Sequence, residues 1–187
     1  MMKQYIIFDL EATCWERSKQ NNRTSEIIEI GAVKLDEKVH RIDTFQTFVK
    51  PLKNPVLSDF CIELTSIMQS DIDTAPYFPE AINDFENWIC SNNEESILLS
   101  WGYYDKHQLL RECDDKKYQG VIISLLENHN SLKYNFAAIR GVKACGMKKA
   151  LRILNIPLEG THHRGIDDAL NISKIFKAVF EEWNFID

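Results

Sequence analysis

The stretch Tyr5-Ile6-Ile7-Phe8-Asp9-Leu10-Glu11-Ala12-Thr13 decides how this chain is read. Residues 5–9 form a continuous apolar run that ends in an acid. Such a run suits a strand buried on both faces, with a carboxylate at its C-terminal end. Asp9 and Glu11 stand two residues apart, and strand alternation sends both side chains to one face. Two neighbouring carboxylates repel, and burial makes the repulsion worse. A hard divalent cation is the usual compensation.

Working outward, residues 26–35 are rich in β-branched side chains and predict a second strand. Residues 44–50 alternate around Phe45, Phe48 and Val49 and predict a third. Consecutive strands without a helix between them suggest an antiparallel meander. Phe78, Ile82, Phe85 and Ile89 then recur at helical spacing, with Pro79 suited to the first turn. Residues 96–100 predict a fourth strand, followed by a helix from Tyr104 to about Cys113 with Leu109 and Leu110 inward. Met147, Leu151 and Leu154 mark another helix, stopped before Pro157. In the last helix Ile172, Ile175, Phe176, Val179, Phe180 and Trp183 share one stripe. The order, three strands, a helix, a fourth strand and then helices, predicts an α/β fold, a mixed sheet flanked by helices. No repeat, linker or composition break divides the chain, so residues 1–187 are expected to form a single domain.

Composition agrees. The 187 residues are 44% hydrophobic and 27% charged, which excludes disordered and fibrous classes and allows a real core without disulfides. No apolar run approaches the roughly 20 residues of a membrane helix. The first ten residues lack the basic start, apolar body and cleavage site of a signal peptide, so a cytoplasmic location is expected. Five widely spaced cysteines without a Cys-x-x-Cys pair read as free thiols in a reducing compartment. The net charge of −6 argues at first sight against a nucleic-acid partner. The charge is uneven, however. From Asn128 to Leu158 there is no Asp or Glu, while Lys133, Arg140, Lys143, Lys148, Lys149 and Arg152 are present. A basic segment on an acidic body suits a phosphate-backbone partner.

Two further acids stand at element ends. Asp105 follows the fourth strand and begins a helix, and Asp168 lies in the first turns of the final helix. His163 precedes Asp168 by five residues, just before that helix. Its neighbour His162 competes for the same role, and spacing alone does not choose between them. Four carboxylates from three separated segments suit a two-metal phosphoryl-transfer site holding Mg²⁺ or Mn²⁺. A histidine near its ordinary pKa is a reasonable base for the attacking water.

At these residues the sequence resembles the DEDDh 3′→5′ exonucleases. Their pattern is Asp-x-Glu, a distant Asp, and His-x4-Asp. Here it reads Asp9-Leu10-Glu11, then Ser100-Trp101-Gly102-Tyr103-Tyr104-Asp105, then His163-Arg164-Gly165-Ile166-Asp167-Asp168. The second strand from Glu26 to Val33, and then Glu63 to Gln69, Ala75-Pro76 and Phe85 to Trp88, resemble the subgroup of histone-mRNA and small-RNA 3′-exonucleases and bacterial sporulation-inhibitor-type exonucleases. The resemblance spans roughly residues 3–182. It implies an RNase H-like five-stranded mixed sheet and a hydrolase acting on 3′ ends of single-stranded RNA or DNA, with RNA favoured and nucleoside 5′-monophosphates released. It also implies that Asp9, Glu11, Asp105 and Asp168 hold two divalent ions, and that His163 rather than His162 is the general base. Ala12, Thr13, Leu64 and Ile67 are then the nucleotide-binding candidates. Gly102 departs from the Asn often found near the third acid. Tyr103 and Tyr104 are placed to stack on bases or to pack in the core. The polar loop from Glu16 to Ser25 is expected to overhang the site, with Arg17, Lys19 or Arg23 on phosphate.

Two rivals share these residues. Phe8 to Thr13 also resembles the Asp-x-Asp-x-Thr start of haloacid-dehalogenase-like phosphatases, with Asp9 as nucleophile. That chemistry needs a second Asp where Glu11 stands, and final acids behind a buried strand, which Pro157 to His163 is not. A catalytically inactive nucleic-acid-binding domain is the other rival, disfavoured because all five catalytic positions are filled.

Overall fold

The computed structural model describes residues 2–19, 23–92 and 94–183. Strand β1 (Lys3–Ala12) runs through both Asp9 and Glu11, with a bulge between Glu11 and Ala12. Strand β2 (Ile27–Leu35) pairs antiparallel with β1, setting Glu29 opposite Glu11, and β3 (Arg41–Phe48) pairs antiparallel with β2. Strand β4 (Glu95–Ser100) lies parallel to β1, with Leu99 opposite Ile7. A two-residue strand, β5 (Asn130–Ser131), runs parallel to β4 and completes the order β3-β2-β1-β4-β5. The meander and the mixed sheet are as expected. β5 is too short to leave a periodic trace in the sequence.

The helices are α1 (Asp59–Thr65), α2 (Gln69–Asp73), α3 (Phe78–Ile89), α4 (Tyr104–Asp115), α5 (Val121–Leu125), α6 (Leu132–Arg140), α7 (Met147–Ile153) and α8 (Gly165–Val179). Helices α3, α4, α7 and α8 are the expected ones. Phe180 belongs to a 3-10 turn after α8, and Trp183 beyond it is buried.

Strand β1 is buried on both faces, and its alternation feeds two cores. Tyr5 and Ile7 join Val33, Leu99, Phe136, Leu151 and the α8 residues Ile172, Ile175, Phe176 and Val179. Ile6 and Phe8 join Ile30, Leu98, Leu109 and the α3 residues Phe78, Ile82, Phe85 and Ile89. At about 25 cal/mol per Å² of apolar surface, these two layers are the main force holding the sheet between its helices. Because β1, β4 and β5 are parallel, their C-terminal ends open on one edge of the sheet. In open α/β sheets that edge is where ligands bind.

His129, just before β5, supports this edge. It is buried, with Nε2 3.0 Å from the Ser100 hydroxyl at the end of β4 and its ring against Phe8 and Tyr103. Burial, followed by the charges of Lys106 and His107, pushes its pKa down from 6.5 to about 4. The unfolded chain therefore takes up a proton near pH 6.5, and the folded one only near 4. Its contribution to stability is complete above about pH 6.5 and is lost as pH falls toward 4, by roughly 3 kcal/mol in all. Urea unfolding at stepped pH should show that loss as the difference between the wild type and His129→Gln, since the carboxylates titrate alike in both, and an unchanged difference would place the proton uptake elsewhere.

Candidate active site

At this edge lies a cleft of about 450 Å³ whose lining includes Asp9, Glu11, Asp105, His162, His163 and Asp168. β1 delivers the first two, and the first turns of α4 and α8 deliver Asp105 and Asp168. Asp9, Glu11 and Asp168 each offer a carboxylate oxygen, all within 4.8 Å of one another. Asp105 stands beside this trio, and its Oδ1 accepts a hydrogen bond from the Leu10 backbone N–H at 3.2 Å, tying α4 to β1.

The electrostatics follow from crowding. Loss of hydration, then the charges of Asp105, Glu11 and Asp168, raise the Asp9 pKa well above the usual carboxylate range. Burial, then Asp168 and Glu29, push Glu11 up to about 9. Burial raises Asp105 to about 6, opposed by hydrogen bonds from Ser100 and Leu10. A site of converging carboxylate oxygens with too much negative charge for its surroundings has the donor set of a hard divalent cation.

Both histidines reach the cleft. The His163 backbone N–H donates to Asp168 Oδ2 at 3.1 Å, and its positive φ of 66° turns the chain into α8. Burial, then His162, lowers its pKa, while Asp168 opposes the shift. His162 Nδ1 lies 3.0 Å from the Asp168 carboxylate, and the two imidazole centroids are 3.9 Å apart. The spacing of the sequence held no sign of this His162–Asp168 contact.

Sequence reasoning also missed Glu29. Fully buried on β2, it accepts hydrogen bonds from the Gly165 N–H at 3.0 Å, Arg164 Nε at 3.2 Å and Gln46 Nε2 at 2.7 Å. An acceptor at a helix N-terminus satisfies an orphan donor and meets the positive end of the dipole. Glu29 thereby holds α8, and with it Asp168, against the sheet. The available signal was an acid within the apolar stretch of residues 27–33. Lys133 and Lys148, from the basic segment, also line the cleft.

The four nucleotide-binding candidates are placed differently, and none of them is in the cleft lining. Ala12 is buried in β1, and the buried Thr13 hydroxyl accepts from the Glu26 N–H at 2.9 Å. Ile67 is fully buried against Ile28, Leu57, Cys61 and Ile72. Leu64 is the exposed member, on α1. A small residue after a strand and an apolar residue after a helix look alike in sequence whether they pack or bind. Of the expected phosphate contacts, Lys19 pairs with Glu16 at 3.3 Å and Arg23 lies over the Trp15 ring at 5.2 Å. Neither these nor Arg17 lines the cleft, and residues 20–22 of that loop lie outside the described residues.

A five-stranded mixed sheet with converging acids and a His-x4-Asp helix start defines an RNase H-like exonuclease fold of the DEDDh type. Residues 6–176 match the exonuclease family model RNase T, and the chain belongs to that exonuclease family. Among curated relatives, the ERI1 exoribonuclease 2 of Xenopus laevis is 30% identical over 91% of this chain, and that of Danio rerio is 32% identical over 95%. The chain spans only 27% and 35% of the length of those two proteins. The solved nuclease domain of 3′hExo, a DEDDh family member bound to rAMP, superposes with a TM-score of 0.87 at 27% identity, covering 98% of this chain and 94% of that one. Among the described residues, no helix is long and apolar enough to cross a membrane.

Proposed function

We propose that residues 1–187 form one nuclease domain that hydrolyses phosphodiester bonds from the 3′ end of single-stranded nucleic acid, RNA in preference to DNA, releasing nucleoside 5′-monophosphates. The observation that carries this reading is the convergence of Asp9, Glu11 and Asp168 oxygens within 4.8 Å in a cleft that also holds two histidines. The RNA preference is supported by the exoribonuclease relatives and by the rAMP complex of the 3′hExo domain. Free thiols at all five cysteines fit a reducing compartment such as the cytoplasm.

Asp9, Glu11, Asp105 and Asp168 are the residues that would hold two Mg²⁺ or Mn²⁺ ions. Bound there, such ions supply Lewis-acid charge to the attacking and leaving oxygens of the phosphodiester. The chain's own groups do the rest. His163, whose partial burial favours the neutral imidazole, accepts the proton of the attacking water. The Asp168 carboxylate fixes the turn that carries it through the His163 N–H. Lys133 and Lys148 attract the phosphate and hold the strand end in the cleft. His162, anchored on Asp168, orients that carboxylate.

These assignments separate two variants that look alike in sequence. His163→Ala should lower kcat by about 10²–10⁴-fold, the range for loss of a positioned base. His162→Ala should cost about tenfold or less. Single-turnover kinetics on a labelled RNA oligomer read both values, and the opposite ranking would assign the base to His162.

A further inference from the structure

Three aromatic rings stand at the rim of the cleft without a role in the chemistry above. Tyr103 stacks on Tyr134, with centroids 5.4 Å apart and planes 23° from parallel. Tyr103 also stacks on His107, at 6.2 Å and 28°. Tyr103 is 39% exposed and Tyr134 51% exposed, which is costly for aromatic area unless something covers it.

The sheet explains how these rings meet. Ser100 and Ser131 are register partners on the parallel pair of β4 and β5. Each strand then leads directly into a helix start, and the residue three places beyond each serine is a tyrosine. Both rings therefore emerge at the C-terminal edge that carries the acids. Gly102 and Tyr104, on either side of Tyr103, line the cleft, and so does Lys133, next to Tyr134. Lys133 Nζ lies 5.8 Å from the Tyr134 ring centroid. The segment around Tyr134, from Asn128 to Leu158, contains no acid that would repel a phosphate.

We propose that Tyr103, Tyr134 and His107 form a base-stacking platform for nucleotides upstream of the 3′-terminal dinucleotide in a single strand. This rests on the nuclease reading of the adjoining cleft. Every base has a π-face, so stacked rings beside a cation bind single strands without reading their sequence. Continuity with the cleft and the charge of Lys133 and Lys148 select a nucleic-acid strand as the occupant rather than a protein.

Tyr134 offers the test because its side chain is half-exposed. The probes are a dinucleotide and a longer oligoadenylate, both 5′-fluorescein-labelled. Anisotropy in EDTA reads binding, and initial rates with Mg²⁺ read KM and kcat. Tyr134→Ala is expected to weaken binding of the longer strand, and raise its KM, by about tenfold. The kcat and the dinucleotide values should stay at the wild-type level, and Tyr134→Phe should restore binding. Tyr134→Leu keeps apolar cover but removes the π-face, so it should behave as Tyr134→Ala even if the alanine variant folds poorly. Unchanged affinity for the longer strand in the leucine and alanine variants would overturn the platform and leave the rings to a protein partner. An equal loss on the dinucleotide would also overturn it, since Tyr134 would then act through the cleft itself. If the wild type binds but hydrolyses neither probe, the nuclease reading fails, while loss of binding in Tyr134→Leu still supports the platform.

Discussion

Asp9→Asn should yield a folded protein that has lost hydrolysis yet resists heat better than the wild type when both are stripped of metal. The amide keeps the shape of the carboxyl and cannot ionise. In the wild type, poor hydration and the neighbouring Asp105, Glu11 and Asp168 all work against the charged form of Asp9. Removing that charge relieves the repulsion, and a gain of ~1 kcal/mol would raise Tm by about 2–4 °C in a domain of this size. The same change removes a central ligand of the proposed cation site, so kcat should fall by roughly 10³-fold or more. Added Mn²⁺ should stabilise the wild type by mass action and leave Asp9→Asn nearly unmoved. Thermal unfolding by circular dichroism with EDTA and with Mn²⁺, beside a turnover assay, reads all three. A variant that keeps its turnover, or a metal-free Tm below that of the wild type, contradicts the assignment.

Gly31→Ala is expected to damage both stability and activity although Gly31 does not line the cleft. Strand β2 passes so close to the start of α8 that a Cβ on Gly31 would fall 2.1 Å from the Gly165 carbonyl carbon and from the Ile166 nitrogen. Both are backbone atoms, so helix and strand must move apart. Overpacking of this kind costs about 1–3 kcal/mol and sometimes more. Asp168 sits three residues beyond Gly165 on the displaced helix, and a shift of about 1 Å at a reacting group is worth about 10²-fold in rate. Denaturant unfolding and kcat, measured on the same preparation, should both fall. Wild-type stability would show that the two elements do not touch in solution.

What could be read ahead of the structure follows from range. Asp9 and Glu11 were legible because a buried strand alternates, and one apolar run sets the direction of both side chains. Asp105 and Asp168 were legible as acids at helix starts, and the parallel pairing of β1 with β4 puts the first of them on the right edge. α8 declared itself through its long apolar stripe. The elements that escaped, β5, α5 and α6 among them, are short or carry weak stripes. The contacts that escaped are long-range. Glu29 meets Gly165 across 136 residues, and Tyr103 meets Tyr134 only because β5 exists. Thr13 and Ile67 show the opposite limit. Their side chains are occupied in hydrogen bonding or packing, and residue type alone does not reveal that.

One gel tests the reaction directly. A 5′-labelled single-stranded RNA is incubated with the protein and Mg²⁺ or Mn²⁺, with EDTA as control, and the products are resolved by length. The expected result is a ladder that shortens one nucleotide at a time from the 3′ end, that vanishes with EDTA, and that forms more slowly on DNA. Release of the 5′ label alone would mark a phosphatase, and a retarded band without shortening would mark a binding domain; either result contradicts the proposed reaction.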